Sequence, residues 1–353
     1  MRDLVDRPVT FEHGYNMRCA HCLATTSLTS SDYYREANGA HVVCEGCATE
    51  IHFGPAVMTL RDPGDPVLDD RYLLNVAWYH TSTFPDWPLG SRAMPAATIE
   101  SVRRFMPEAS AHRVRARHEN QALHIGSYEA AIESMLRRMR NQDDGGKPFY
   151  LYRIALRHES LTVEPGWRDE NSDKAAQISQ EDFGDADVVR YLNVHESPGS
   201  ISLAVRPAAI GALQRIALPI PVSQPAINAA LLANFDRVRA EVARAGAATG
   251  VEPGPLELLR RKAAARSGAL FRKGTHRTQS ALPYQLCQLL EDEYLPGVSH
   301  PIRDRVTAAL RAWRAAHSPV DDTDYVVHFA SMASTLTRPD QVIRLLATQP
   351  VHQ

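Results

Sequence analysis

VVRYLNVHESPGSISLAV, residues 188–205, holds two apolar runs, Val188–Val194 and Ile201–Val205, separated by His195-Glu196-Ser197-Pro198-Gly199. Both runs are short and rich in β-branched residues, and Pro-Gly marks a turn, so the stretch reads as two consecutive strands. A carboxylate, Glu196, then stands where the first strand stops. Phe149–Leu156 (FYLYRIAL) reads as a buried strand, and Leu73–Tyr79 (LLNVAWY) and Ala122–Ile125 as two more. After Ile125, Ser127 is placed to cap a helix. In that helix Tyr128, Ala131, Ile132, Met135, Leu136 and Met139 form one apolar stripe at helical spacing. Glu129 near its start and Arg137, Arg138 and Arg140 near its end suit the helix dipole, and Asp143-Asp144-Gly145-Gly146 ends it. Pro207 suits the first turn of a further short helix.

Beyond Pro225 the pattern turns helical, with candidates near 226–245, 255–272, 281–294, 301–317 and 339–347 and an extended run expected at Tyr325–Phe329. The first 62 residues carry four of the five cysteines and little helical pattern. The expected fold class is α+β in three parts: a small zinc ribbon (1–62), a split-sheet α/β domain (63–222) and a helical module (223–353).

Cys19-Ala-His-Cys22 and Cys44-Glu-Gly-Cys47 are separated by 21 residues. Each CxxC turn aims two thiolates at one ion, and two turns complete the Cys₄ shell of a structural Zn²⁺. Gly46 eases the second turn. A segment this short buries little core without such a staple. His21, His41 and His52 lie nearby as surface or supporting residues. Four thiolates close the shell, so the site's role is structural or recognition and not catalytic. Cys287, within PYQLCQLL, reads as a core residue.

Across 353 residues, hydrophobic residues make up 44% and charged residues 23%, values of a globular chain with a sizeable core. Lys and Arg total 39 against 41 Asp and Glu, so no overall cationic field favours nucleic acid. No signal peptide and no spanning apolar run is read, and paired cysteines outside a disulfide framework suit a reducing compartment; the expectation is a cytoplasmic protein with no membrane partner. The dinucleotide GxGxxG, the P-loop, HExxH and GxSxG are all missing from the sequence.

Three polar elements remain, each at the end of a strand: Tyr79-His80-Thr81-Ser82, Gly126-Ser127-Tyr128, and Glu196 before its turn. In their order, His then Tyr then Glu, they resemble the H-Y-E pattern of ADP-ribosyltransferases of the diphtheria-toxin and poly-ADP-ribose-polymerase type. Thr81 stands where that family has glycine. The resemblance covers residues 72–218 and implies NAD as substrate. It implies that His80 holds the ribose and adenosine side, with Thr81 beside it and Ser82 helping with the ribose. Tyr128 stacks on the nicotinamide, and Glu196 bonds the ribose 2′-hydroxyl and stabilises oxocarbenium character at the breaking bond. Val194 leaves no acid two positions before Glu196, which argues against an arginine acceptor. A protein side chain, a nucleobase, a small molecule and water all stay open as acceptors.

The rival reading is a non-catalytic zinc-ribbon module that binds nucleic acid or protein. Residues 260–277 hold seven Arg or Lys and no acid, and 102–117 contains Arg103, Arg104, Arg113, Arg115 and Arg117. Such runs neutralise phosphates or simply solvate helix faces.

Overall fold

The computed structural model describes residues 4–36, 41–52, 58–89, 119–142, 144–169, 178–220 and 281–352, the backbone alone at 34 and 281–285, with further helical positions between 100 and 116 and between 230 and 240. The basic stretch 260–277 and the helical candidate 255–272 lie outside the described residues, as do most of 226–245 and most of 102–117.

The chain opens with two hairpins. β1 (Tyr15–Arg18) pairs with β2 (Thr25–Leu28), and β3 (His41–Val43) with β4 (Glu50–His52); α1 (Ser30–Glu36) lies between the hairpins in sequence. The turn α2 (Asp70–Leu73) leads into the central fold, which contains β5 (Trp78–Ser82), β6 (Leu123–Ile125), α3 (Tyr128–Asn141), β7 (Phe149–Leu156), β8 (Val188–Asn193), β9 (Ser200–Val205) and β10 (Ile210–Leu218). Helices α4 (Ala281–Tyr294), α5 (His300–Ala316), α6 (Asp322–Thr337) and α7 (Pro339–Ala347) complete it. The molecule is mixed α/β with small antiparallel sheets.

The central strands form two three-stranded sheets, ordered β10-β7-β5 and β6-β9-β8. They meet where Tyr79 and Gly126 exchange two backbone hydrogen bonds of 2.9 Å. Alternate strand residues face opposite sides, so one strand feeds two cores. Trp78, Tyr152 and Ile154 join Ile125, Ile201 and Leu203 between the sheets. Tyr79, Phe149 and Leu151 face the other way and pack with Ile132 and Met135 of α3. That second core continues into Leu290, Ile302, Leu310, Phe329 and Leu336. The C-terminal helices are thus built onto α3 and not tethered beside it.

Most sequence readings find their element, including the Ser127 cap, whose Oγ accepts from the Ala130 amide at 3.1 Å. Three differ. The first strand begins at Trp78, because Asp69 accepts from the Arg71 amide at 2.9 Å and caps a helical turn through Leu73. Tyr325–Phe329 is not extended: it lies inside α6, capped by Asp321, with Tyr325, Val326 and Phe329 buried at helical spacing. Pro207 opens only a 3₁₀ turn, after which β10 forms an edge strand that its half-buried residues did not announce. Among the described residues no helix is long and apolar enough to cross a membrane.

Ile132 is fully buried on α3, in the core shared with the C-terminal helices. Ile132→Ala is expected to lower unfolding free energy by about 2–5 kcal/mol, whereas Arg140→Ala on the exposed face stays within about 0.5 kcal/mol. Denaturant titration of both variants checks the difference.

Candidate functional site

The four cysteines converge. Cys19 Sγ lies 3.7 Å from Cys47 Sγ and Cys22 Sγ lies 3.6 Å from Cys44 Sγ, and all four sulfurs fall within 4.8 Å of one another. The two turns repeat the same construction. Leu23 N–H donates to Cys19 O and Ala48 N–H to Cys44 O, both at 2.9 Å. Leu23 and Ala48 each take a positive φ, 63° and 59°. Within the turns, His21 N–H donates to Cys19 Sγ at 3.4 Å and Gly46 N–H to Cys44 Sγ at 3.3 Å, bonds that favour thiolates. Hydrogen bonding to Thr49 holds the Cys47 thiol down, at about 5. A Cβ on Gly46 would sit 2.9 Å from Ala24 Cβ, so the second turn needs glycine to close on the first. This donor set fits one tetrahedral metal ion such as zinc.

A second site lies where the two sheets part. A cavity of about 290 Å³ is lined by residues from β5, β6, α3, β8 and the loop after β8, among them His80, Thr81, His124, Arg137, Tyr191 and Glu196. That volume is at the lower end for ligand sites. Strand alternation supplies the lining: Leu123 and Ile125 enter the inter-sheet core, leaving His124 between them for the opposite side.

The groups in the cavity are set by burial. His80 stacks on Trp87, ring centroids 4.4 Å apart, and its imidazole is pushed down to about 3, first by burial and then by nearby Arg138. Burial also pushes His124 down, to about 4, with its Nδ1 3.3 Å from the Tyr191 hydroxyl. Both rings are neutral at pH 7. Glu196 is buried, and Arg137 Nε on α3 donates to its Oε1 at 2.5 Å. The cavity therefore presents a fixed carboxylate beside an arginine and two neutral imidazoles.

The loop bearing Glu196 is held from all sides. The Asn193 side chain accepts from His195 N–H (3.1 Å) and Glu196 N–H (2.9 Å), while its carbonyl accepts from Gly199 N–H at 2.8 Å. Ser197 (φ 46°) and Gly199 (φ 83°) make the bend. From the segment that follows the cysteine hairpins, Arg61 N–H donates to Gly199 O at 2.9 Å. A Cβ on Gly199 would meet Thr59 O at 2.8 Å.

His80, Thr81 and Glu196 are brought together as the sequence suggested. Tyr128 is not. Its ring packs edge-on to Tyr79 and Phe11, its hydroxyl donates to Thr335 O at 2.8 Å, and it lies outside the cavity lining. The side chain expected to stack on nicotinamide is a core residue, as its place in the apolar stripe also suggested, and its hydroxyl is held by α6. Ser82 likewise lies outside the lining, its Oγ accepting from Phe84 N–H at 3.1 Å. Thr81 turns its hydroxyl to Ala131 O (2.8 Å) and its carbonyl to Arg138 (3.1 Å), so the residue standing for glycine braces α3. Sequence reasoning missed His124, Arg137 and Tyr191. A polar residue alternating with apolar ones on β6 was the available signal for His124; Arg137 was read only as a helix-end cation.

The purified chain is expected to carry one bound metal ion, and Cys44→Ser to reduce that content and loosen the N-terminal hairpins. A metal-free chain with an unchanged melting curve contradicts this. Gly199→Ala is expected to cost about 1–3 kcal/mol, because it combines a positive φ with a backbone clash; an unchanged denaturation midpoint argues against that strain.

No protein-family model, no curated protein and no solved structure matches the chain, so its functional reading rests on the site's own residues.

Proposed function

We propose that the cavity binds the nicotinamide–ribose end of NAD and that the protein transfers ADP-ribose to an acceptor, releasing nicotinamide. The observation that carries this reading is Glu196. It is a carboxylate locked by Arg137 in a cavity shared with His80, in the His-then-Glu sequence order of the H-Y-E transferases.

Breaking the bond between ribose C1′ and the pyridinium nitrogen sends its electron pair to nitrogen, so nicotinamide leaves neutral and needs no strong acid. Positive charge develops on the ribose as the bond lengthens. A carboxylate fixed at the 2′-hydroxyl stabilises that charge more in the transition state than in the ground state. Arg137 holds the Glu196 carboxylate in its aim. Neutral His80, held by stacking on Trp87, serves as a hydrogen-bond partner for the sugar. The acceptor's lone pair then takes C1′, and its proton passes to water or to Glu196. Val194 supplies no second carboxylate for an arginine acceptor, and the proposed acceptor is a macromolecule, protein or nucleic acid. The cysteine turns hold Zn²⁺ in a structural role, steadying the segment that reaches Gly199.

Glu196→Gln keeps shape and hydrogen bonding but removes the charge. It is expected to leave NAD affinity nearly unchanged while nicotinamide release slows by about a hundredfold or more. His80→Ala is expected instead to weaken NAD binding. Release by the Glu196→Gln protein at the parental rate rules the proposal out, and labelled NAD incubated with cell extract shows whether label lands on protein or nucleic acid.

A further inference from the structure

One fully buried carboxylate beside the cavity is not part of its lining. Glu133, on α3, is 0% exposed. Its Oε2 accepts the Ser197 amide at 3.0 Å, from the residue directly after Glu196. The same oxygen is paired with Arg305 Nη1, on α5 of the C-terminal helices, and that nitrogen also reaches His195 O at 3.4 Å. Glu133 Oε1 has no hydrogen-bond partner. An ionised group buried this deeply persists only where a cation and an amide compensate it. Here the compensating cation comes from the C-terminal helices and the compensating amide from the Glu196 loop.

We infer that Arg305 and Glu133 are positioning residues that make the C-terminal helices part of the site: the ion pair fixes Ser197 and His195, and thereby the aim of Glu196 into the cavity. The inference rests on Glu196 as the reacting carboxylate. Ser197 itself adopts φ 46°, a conformation a non-glycine residue keeps only when its surroundings impose it. Neighbouring restraints hold the other end of the loop, through Arg61 and Gly199. Arg305 acts on the segment between Asn193 and that anchor.

The test uses the full chain in three forms: Arg305→Met, Arg305→Lys and the pair Glu133→Leu/Arg305→Met. The pair leaves no unpaired charge buried and no acceptor for Ser197, so it remains informative if Arg305→Met fails to fold. Nicotinamide release and amide hydrogen exchange across residues 195–199 are measured on each. Arg305→Met and the pair are expected to lower kcat by about tenfold to a hundredfold with KM within about twofold, as for a misaimed reacting group. They are also expected to speed loop exchange, and Arg305→Lys to recover most of both. Parental loop exchange in Arg305→Met and in the pair overturns the inference whatever the activity. Faster exchange with parental kcat also overturns it, since the loop's order then does not aim Glu196. If the parent releases no nicotinamide, the reading of Glu196 falls, and with it the catalytic half of the inference; the exchange arm still decides whether Arg305 holds the loop.

Discussion

A buried charge that cannot stand alone sits at the centre of this molecule. Burial pushes the Glu133 carboxyl up to about 6, while Arg305 and the Ser197 amide pull it back toward the ionised form. Removing one partner from such a buried pair typically costs about 3–5 kcal/mol, against about 0.2–1 kcal/mol for an exposed pair. The contact binds three parts of the chain at once: α3 carries the acid, α5 the cation, and the loop between β8 and β9 the amide. The hairpin segment closes the same loop through Arg61. Cysteine turns, split sheets and C-terminal helices therefore share one junction, and Glu196 lies on it.

From this junction follows the chemistry of the cavity. A loop fixed by Asn193, Glu133 and Arg61 gives its carboxylate little freedom, and Arg137 removes more. In the proposed reaction, preorganised charge of this kind would act without reorganising first. The neutral imidazoles of His80 and His124 add hydrogen-bonding capacity without adding positive charge to the cavity. The cysteine turns stand apart from the cavity, packing Cys19 and Cys44 with Met17, Met58, Leu192 and Val194 against the start of the loop.

How much of this was written in the sequence depends on the range of the interaction. The cysteine spacing announced its site because one turn carries each pair of ligands. The helix 128–141 announced itself through its cap and its stripe, and FYLYRIAL through an unbroken apolar run. His80 and Glu196 were legible as polar residues following apolar runs, though β5 continues past His80 to Ser82. Tyr128 was legible twice, as a helix-start aromatic and as a stripe residue, and packing against Thr335, more than two hundred positions away, decided for the stripe. The Glu133–Arg305 pair was not legible: it joins residues 172 positions apart, and Glu133 lies in a helix whose apolar spacing gives no sign of a buried acid. β10 escaped notice because an edge strand that is half exposed lacks both continuous and alternating hydrophobicity.

The most direct test of the account is a crystal structure of the full chain with a non-cleavable carbocyclic analogue of NAD. The analogue's nicotinamide–ribose end is expected to enter the cavity between the sheets, with the 2′-hydroxyl within hydrogen-bond distance of Glu196 and the sugar beside His80. An analogue that binds elsewhere, for instance in the groove formed by Trp313, His328 and Met332, or that fails to bind at millimolar concentration, contradicts it.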